Sequence, residues 1–235
     1  HLELGHVLLG VHGHENLLFA VVVHGATVLS TVVVFRGDIA AMSRALCSFR
    51  RSEETRLVWL LLFSTLPVVL IGIFFRREVE GLFSGNLLLV GCMLLVTACL
   101  LAFTTLTRAG KERIGWLDAL LIGMAQALAV LPGISRSGST IATGLLLGKK
   151  REEMARFSFL MVILPILGAN VVDLCSGRVT GTGTENLLPL LTGFLAAFFS
   201  GWLACRWMVQ IVKKGKLIYF AVYCLIIGLI AIFAA

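Results

Sequence analysis

The sequence predicts an all-α polytopic membrane protein: about six transmembrane helices plus a re-entrant helical hairpin, in an inverted-topology repeat. Three observations carry that expectation. First, the 235 residues are 58% hydrophobic and 14% charged, with a mean hydropathy of +0.97, whereas soluble domains carry about 25% charged residues. Second, the apolar residues fall into runs of the length that crosses a bilayer, about 17–25 residues. Third, the Lys and Arg residues alternate between rich and poor connections, as positive-inside topology requires.

In chain order, residues 1–16 are mixed, with His1, His6, His12 and His14 among Leu, Val and Gly. They have no paired carboxylates at ligand spacing, so His6, His12 and His14 read as interfacial rather than metal-binding. The sequence opens at His1 without a Met or a signal peptide and reads as missing an N-terminal piece. Residues 17–35 form the first expected span, with His24 its sole ionisable group and a satisfied core residue. Within the charged connection 36–56, residues 39–49 predict an interfacial amphipathic helix. Spans two and three are expected over 57–75, kinked at Pro67, and 87–103, with a polar turn at 76–86 between them. A basic loop at 104–115 precedes an interrupted apolar segment, 116–147. Spans four, five and six are expected over 157–172, 187–205 and 217–235. The whole is one integral membrane domain over 1–235.

Connections 36–56, 104–115, 148–156 and 206–216 carry 16 Lys and Arg residues together, and connections 76–86 and 173–186 carry three. That alternation holds only if 116–147 enters and leaves on one side, as a re-entrant hairpin from the cytoplasmic face. A full crossing would put the four positives of 148–156 outside. A shift of 138 residues places Leu8-Leu9-Gly10 on Leu146-Leu147-Gly148, Glu15 on Glu153 and Phe19 on Phe157. The first span then falls on the fourth with opposite direction, so repeats are expected over 1–103, its N-terminal hairpin mostly missing, and 116–235.

The net charge of +7 does not point to nucleic acid, because the basic residues are dispersed among short loops. Six cysteines (47, 92, 99, 175, 205 and 224) include no CxxC pair and no cluster, so neither a disulfide framework nor a zinc site is supported.

The chemistry concentrates in Leu131-Pro132-Gly133-Ile134-Ser135-Arg136-Ser137-Gly138-Ser139-Thr140. Arginine at membrane depth costs about 2.5–3.5 kcal/mol on insertion scales, so it calls for an anionic partner. Gly133 and Gly138 permit a tight turn and close approach of a ligand to the backbone. The half-helix that follows points its first N–H groups into the loop, which attracts anions. Arg136 adds a planar fork suited to phosphate oxygens. Ser135, Ser137, Ser139 and Thr140 add hydroxyls. Together they make a phosphate or diphosphate cradle. Gln126, two turns earlier, either orders that site or bonds a neighbouring helix.

The run Gln126-Ala127-Leu128-Ala129-Val130-Leu131-Pro132-Gly133-Ile134-Ser135-Arg136-Ser137-Gly138-Ser139-Thr140, followed by Arg156-Phe157-Ser158-Phe159, resembles the second signature of the bacterial undecaprenyl-diphosphate phosphatases, the bacitracin-resistance family. The resemblance covers essentially the whole chain. His1-Leu2 resembles the end of the family's first, glutamate-rich signature, whose glutamates would lie before His1; no metal ligand of this chain is therefore expected. The resemblance implies hydrolysis of a C55 isoprenyl diphosphate in the bacterial plasma (inner) membrane to the monophosphate carrier of cell-wall synthesis. It implies roles in activity for Ser135, Arg136, Thr140 and His1, and a divalent cation, Mg²⁺ or Ca²⁺. Ser135 could attack directly; His1 could attack or activate a water. The implied partners are the polyprenyl diphosphate substrate and membrane lipids. The oligomeric state is left open, a homodimer included.

A transporter of polyprenyl phosphate lipids is the alternative, since inverted repeats and paired hairpins are also transporter architecture. The membrane phosphatases that use Ser-Arg with a downstream His are disfavoured, because no His follows Arg136. A purely structural module would leave Arg136 without a partner.

Overall fold

The structure is a computed structural model that describes residues 17–48, 52–75, 78–79, 81, 87–107, 110, 112–175 and 187–233. The regular secondary structure of the described residues is helical, apart from one isolated parallel bridge, Glu112 to Lys149. The helices are α1 (Leu17–Val34), α2 (Arg36–Cys47), α3 (Glu53–Phe74), α4 (Leu87–Leu106), α5 (Trp116–Leu128), α6 (Arg136–Leu146), α7 (Arg151–Cys175), α8 (Leu187–Lys213) and α9 (Ile218–Phe233).

Among the described residues, four helices are long and apolar enough to cross a membrane, α3, α4, α7 and α8, and a fifth span results if the α1–α2 pair, bent by 80°, is one span. Their outward faces carry large apolar side chains, such as Leu66, Leu70, Ile73 and Phe103, which lipid rather than water would cover. The chain is a multi-pass helical membrane protein.

Several elements differ from the apolar runs. α7 begins at Arg151, six residues ahead of the expected span, because Glu152 and Glu153 suit the positive end of a helix. α8 continues past the expected 205 to Lys213, a cation at the negative end. The charged connections are therefore largely helical. α2 begins three residues before the expected interfacial helix, at Arg36, and buries no residue. α3 and α7 remain helical through Pro67 and Pro165. α9 has 16 residues, about 24 Å at 1.5 Å per residue, and the end of the expected sixth span, 234–235, lies outside the described residues.

The contacts divide the chain into two compact units, each drawn from both halves of the sequence. In the unit holding residues 60–158 and 211–235, α4 and α9 meet at small residues. A Cβ on Gly91 would lie 2.6 Å from Ile232 Cγ1 and 2.9 Å from the Gly228 oxygen, so only glycine permits that approach. Gly123 of α5 lies against the Ser64 backbone of α3, and the Phe63 and Trp116 rings meet edge to face at 5.6 Å. α6 packs on both α4 and α5 and buries Ile141, Ala142 and Leu145.

In the other unit, residues 13–59 and 159–210, Phe35 stacks on Phe159 at 5.9 Å. A Cβ on Gly201 would lie 2.7 Å from Ser30 Oγ. Arg206 sits 4.9 Å over the Trp202 ring.

Candidate active site

α5 and α6 form a helical hairpin whose two outer ends meet. At its base, Asp118 Oδ2 accepts from the Gly115 amide at 2.7 Å and caps α5. The same oxygen lies 2.8 Å from Lys149 Nζ, which is also 3.0 Å from Glu112 Oε2. Lys149, in the turn between α6 and α7, is buried. Burial alone would lower its pKa; hydrogen bonds and charge attraction from Asp118 and Glu112 outweigh that and raise it. Gly110 packs directly on the Gly148 backbone. The two strands of chain that enter and leave the hairpin are thus pinned together.

At the tip, α5 unwinds through Val130 and Leu131, whose amides reach back three residues rather than four. Residues 131–134 then form a turn closed by Ile134 N to Leu131 O at 3.2 Å. Pro132 supplies the fixed φ of its second position, and Gly133, at φ +95°, the positive φ that a type II turn requires at its third. A side chain at 133 is excluded twice, since a Cβ there would also lie 2.5 Å from the Val90 oxygen and 2.9 Å from Met93 Cβ.

Ser135 caps α6. Its Oγ accepts from the Gly138 amide at 3.2 Å, its carbonyl accepts from the Ser139 amide at 2.8 Å, and its own amide donates to Thr97 Oγ1 of α4 at 3.1 Å. A Cβ on Gly138 would lie 2.9 Å from Ser135 Oγ, so the cap depends on glycine there. The first-turn amides of Arg136 and Ser137 have no intrahelical acceptor and stand at the positive end of the helix.

Arg136 Nε donates to Gln126 Oε1 at 3.2 Å across the hairpin. Gln126 is 1% exposed. Its amide oxygen faces the guanidinium, since the reverse orientation would oppose two donors. Gln126 therefore orders the arginine. Three buried groups at this tip have no hydrogen-bond partner: Arg136 Nη2, Gln126 Nε2 and Ser139 Oγ. An unsatisfied buried donor costs about 1–3 kcal/mol, and three within one loop and its flanking turns mark a place where acceptor oxygens belong.

Thr140 is engaged differently. Its Oγ1 lies 3.0 Å from the Arg136 carbonyl, 3.2 Å from the Ser137 carbonyl and 2.6 Å from Ser158 Oγ, so it ties the first turn of α6 to α7. Ser137 is half-buried at the N-terminus. The structure thus brings Gln126, Gly133, Ser135, Arg136, Ser137, Gly138, Ser139 and Thr140 together around one turn. His1 lies outside the described residues, as do His6, His12 and His14.

Sequence reasoning missed Thr97, Ser158 and the Glu112–Asp118–Lys149 cluster. Ser158 sat within the Arg156-to-Phe159 run, which was a signal. For the others, none stands out. The tip does not fit a divalent cation, because it presents a guanidinium and N–H and O–H donors. Among the described residues no group of three or more His, Cys, Asp and Glu side chains is placed to hold a metal ion.

A multi-helix membrane protein with a cluster of unpartnered hydrogen-bond donors at a helix N-terminus is the class that this fold and tip define. The chain belongs to the bacitracin resistance protein BacA family, which matches residues 1–230. It is 53% identical over 236 residues to an undecaprenyl-diphosphatase of Bacteroides fragilis (strain YCH46), covering 99% of this chain and 88% of the relative. It is 52% identical to an undecaprenyl-diphosphatase of Parabacteroides distasonis, with the same coverage. One from Methanobrevibacter smithii is 38% identical over 247 residues, covering 98% of this chain and 87% of the relative.

Proposed function

We propose that this chain is a membrane phosphatase that hydrolyses undecaprenyl diphosphate to undecaprenyl phosphate and inorganic phosphate. It thereby recycles the lipid carrier of cell-wall synthesis in the bacterial plasma membrane and contributes to bacitracin resistance. The observation that carries the proposal is the set of buried, unpartnered donors on Arg136, Gln126 and Ser139 at the N-terminus of α6. A terminal phosphoryl group supplies the acceptor oxygens and the negative charge these donors lack. The family relatives that bear the name of this activity support it.

In this reading a water oxygen attacks the terminal phosphorus, the bond to the bridging oxygen breaks, and the lipid leaves as its monophosphate. Arg136 and the Arg136 and Ser137 amides neutralise charge on the transferred group. Ser135 holds the cradle in shape, because its oxygen is committed to capping α6. The water's proton goes to a base outside the described residues, the role the resemblance gives His1. The expected divalent cation, Mg²⁺ or Ca²⁺, would need ligands outside the described residues, and these steps do not use it.

The proposal includes topology. α5 and α6 have 13 and 11 residues, about 20 and 16 Å, against a hydrocarbon core of about 30 Å. Their shared base supports a re-entrant hairpin, and the Lys and Arg count of the flanking connections supports its opening to the cytoplasm. The inverted repeat over 1–103 and 116–235 rests on the 138-residue register alone.

Purified protein with divalent cation should release inorganic phosphate from undecaprenyl diphosphate, with no phosphoserine after a rapid quench. Lipid translocation in vesicles without phosphate release would favour a transporter instead. A phosphorylated Ser135 would make the serine the nucleophile.

A further inference from the structure

We infer that Thr97 is a positioning residue for the phosphoryl cradle, acting through the Ser135 amide. This rests on the phosphatase reading above. Thr97 is fully buried on α4. Its hydroxyl donates to the Met93 carbonyl at 3.1 Å, which turns an oxygen lone pair towards the Ser135 N–H, also 3.1 Å away. Ser135 is the residue at which turn becomes helix, so its amide direction fixes where the first turn of α6 begins. The Arg136 and Ser137 amides and the root of the Arg136 side chain follow immediately.

The methyl group of Thr97 faces the other end of the same cap. A Cβ on Gly138 would lie 3.5 Å from Thr97 Cγ2. Val90 and Met93, seven and four residues back along α4, are the groups against which Gly133 is seated. At that spacing Val90, Met93 and Thr97 share one face of the helix. α4 therefore presents a seat for the whole tip, an apolar part under Gly133 and a single polar contact under Ser135. The polar contact sets rotation and depth, which apolar packing alone does not.

Thr97→Val keeps the shape and the methyl and replaces the hydroxyl acceptor with a second methyl; Thr97→Ser keeps the acceptor and removes the methyl. If Thr97 positions the cradle, Thr97→Val lowers kcat for phosphate release by between about tenfold and a hundredfold, the loss typical of a small misplacement of catalytic groups. KM changes by less than about threefold, and Thr97→Ser restores kcat to within about threefold of the parent. Wild-type kcat in Thr97→Val overturns the inference, as does an equal loss in both variants, which would mean that packing alone matters. If Thr97→Val does not fold, Thr97→Ser and Thr97→Ala differ only in the hydroxyl; equal kcat in that pair overturns the inference too. Failure of the unsubstituted protein to release phosphate would instead sink the phosphatase reading.

Discussion

The two ends of the α5–α6 hairpin each hold one cation and treat it in opposite ways. At the base, Lys149 is paired with Asp118 and Glu112. At the tip, Arg136 is held by a neutral amide, Gln126, and one of its nitrogens is buried with no partner. A buried cation matched with carboxylates is complete within the chain and serves the fold. A buried cation oriented by an amide keeps its charge available for an anion from outside. The same short unit thus carries a matched charge and an unmatched one 13 residues apart, and under the proposed function the unmatched one is the charge that meets substrate.

The largest effect should follow from removing the unmatched charge. Arg136→Ala should lower phosphate release by about a thousandfold or more, the scale of a lost phosphoryl-stabilising arginine, with thermal stability of the purified protein little changed. Next comes making the tip resemble the base. Gln126→Glu would set a carboxylate beside the Arg136 guanidinium and repel the substrate's charge, lowering activity by about a hundredfold while stability holds or rises. An active Gln126→Glu protein would break the contrast drawn above.

The smallest effect on turnover should come from the base. Lys149→Met should cost about 1–3 kcal/mol in stability, most of it from Asp118, since Glu112 is largely exposed. Its kcat per folded molecule should change little. The pH dependence has a definite sign. The folded pKa of Lys149 is raised above its ordinary 10.5, so its contribution is complete below that pH and is lost as pH rises through the higher folded value. Denaturation against pH should show an alkaline loss in the parent that Lys149→Met lacks.

The hairpin tip was legible because its residues are close in sequence and chemically out of place: an arginine, glycines and serines amid leucines. Gln126 was visible as an oddity, but its role became plain with the bond to Arg136, ten residues on. Thr97 was not legible. Ser64, Thr65 and Thr104 also turn their hydroxyls onto carbonyls of their own helices, as hydroxyls in apolar helices commonly do. What distinguishes Thr97 is the amide 38 residues away. The base was hidden for the same reason, since Glu112 and Lys149 meet only in three dimensions. Helix length was not legible from the apolar runs: α7 and α8 run on beyond the expected spans into charged turns, because apolar composition marks the solvent a helix faces rather than its length.

One oxygen, Asp118 Oδ2, serves both the first amide of α5 and the ammonium that closes α6. Neither contact can be released without disturbing the other, so the start and the finish of the hairpin form one cooperative unit. In a hydrogen-exchange experiment the amides at the start of α5 and those at 147–149 should open together, with one common exchange rate. Asp118→Asn should speed both by the same factor.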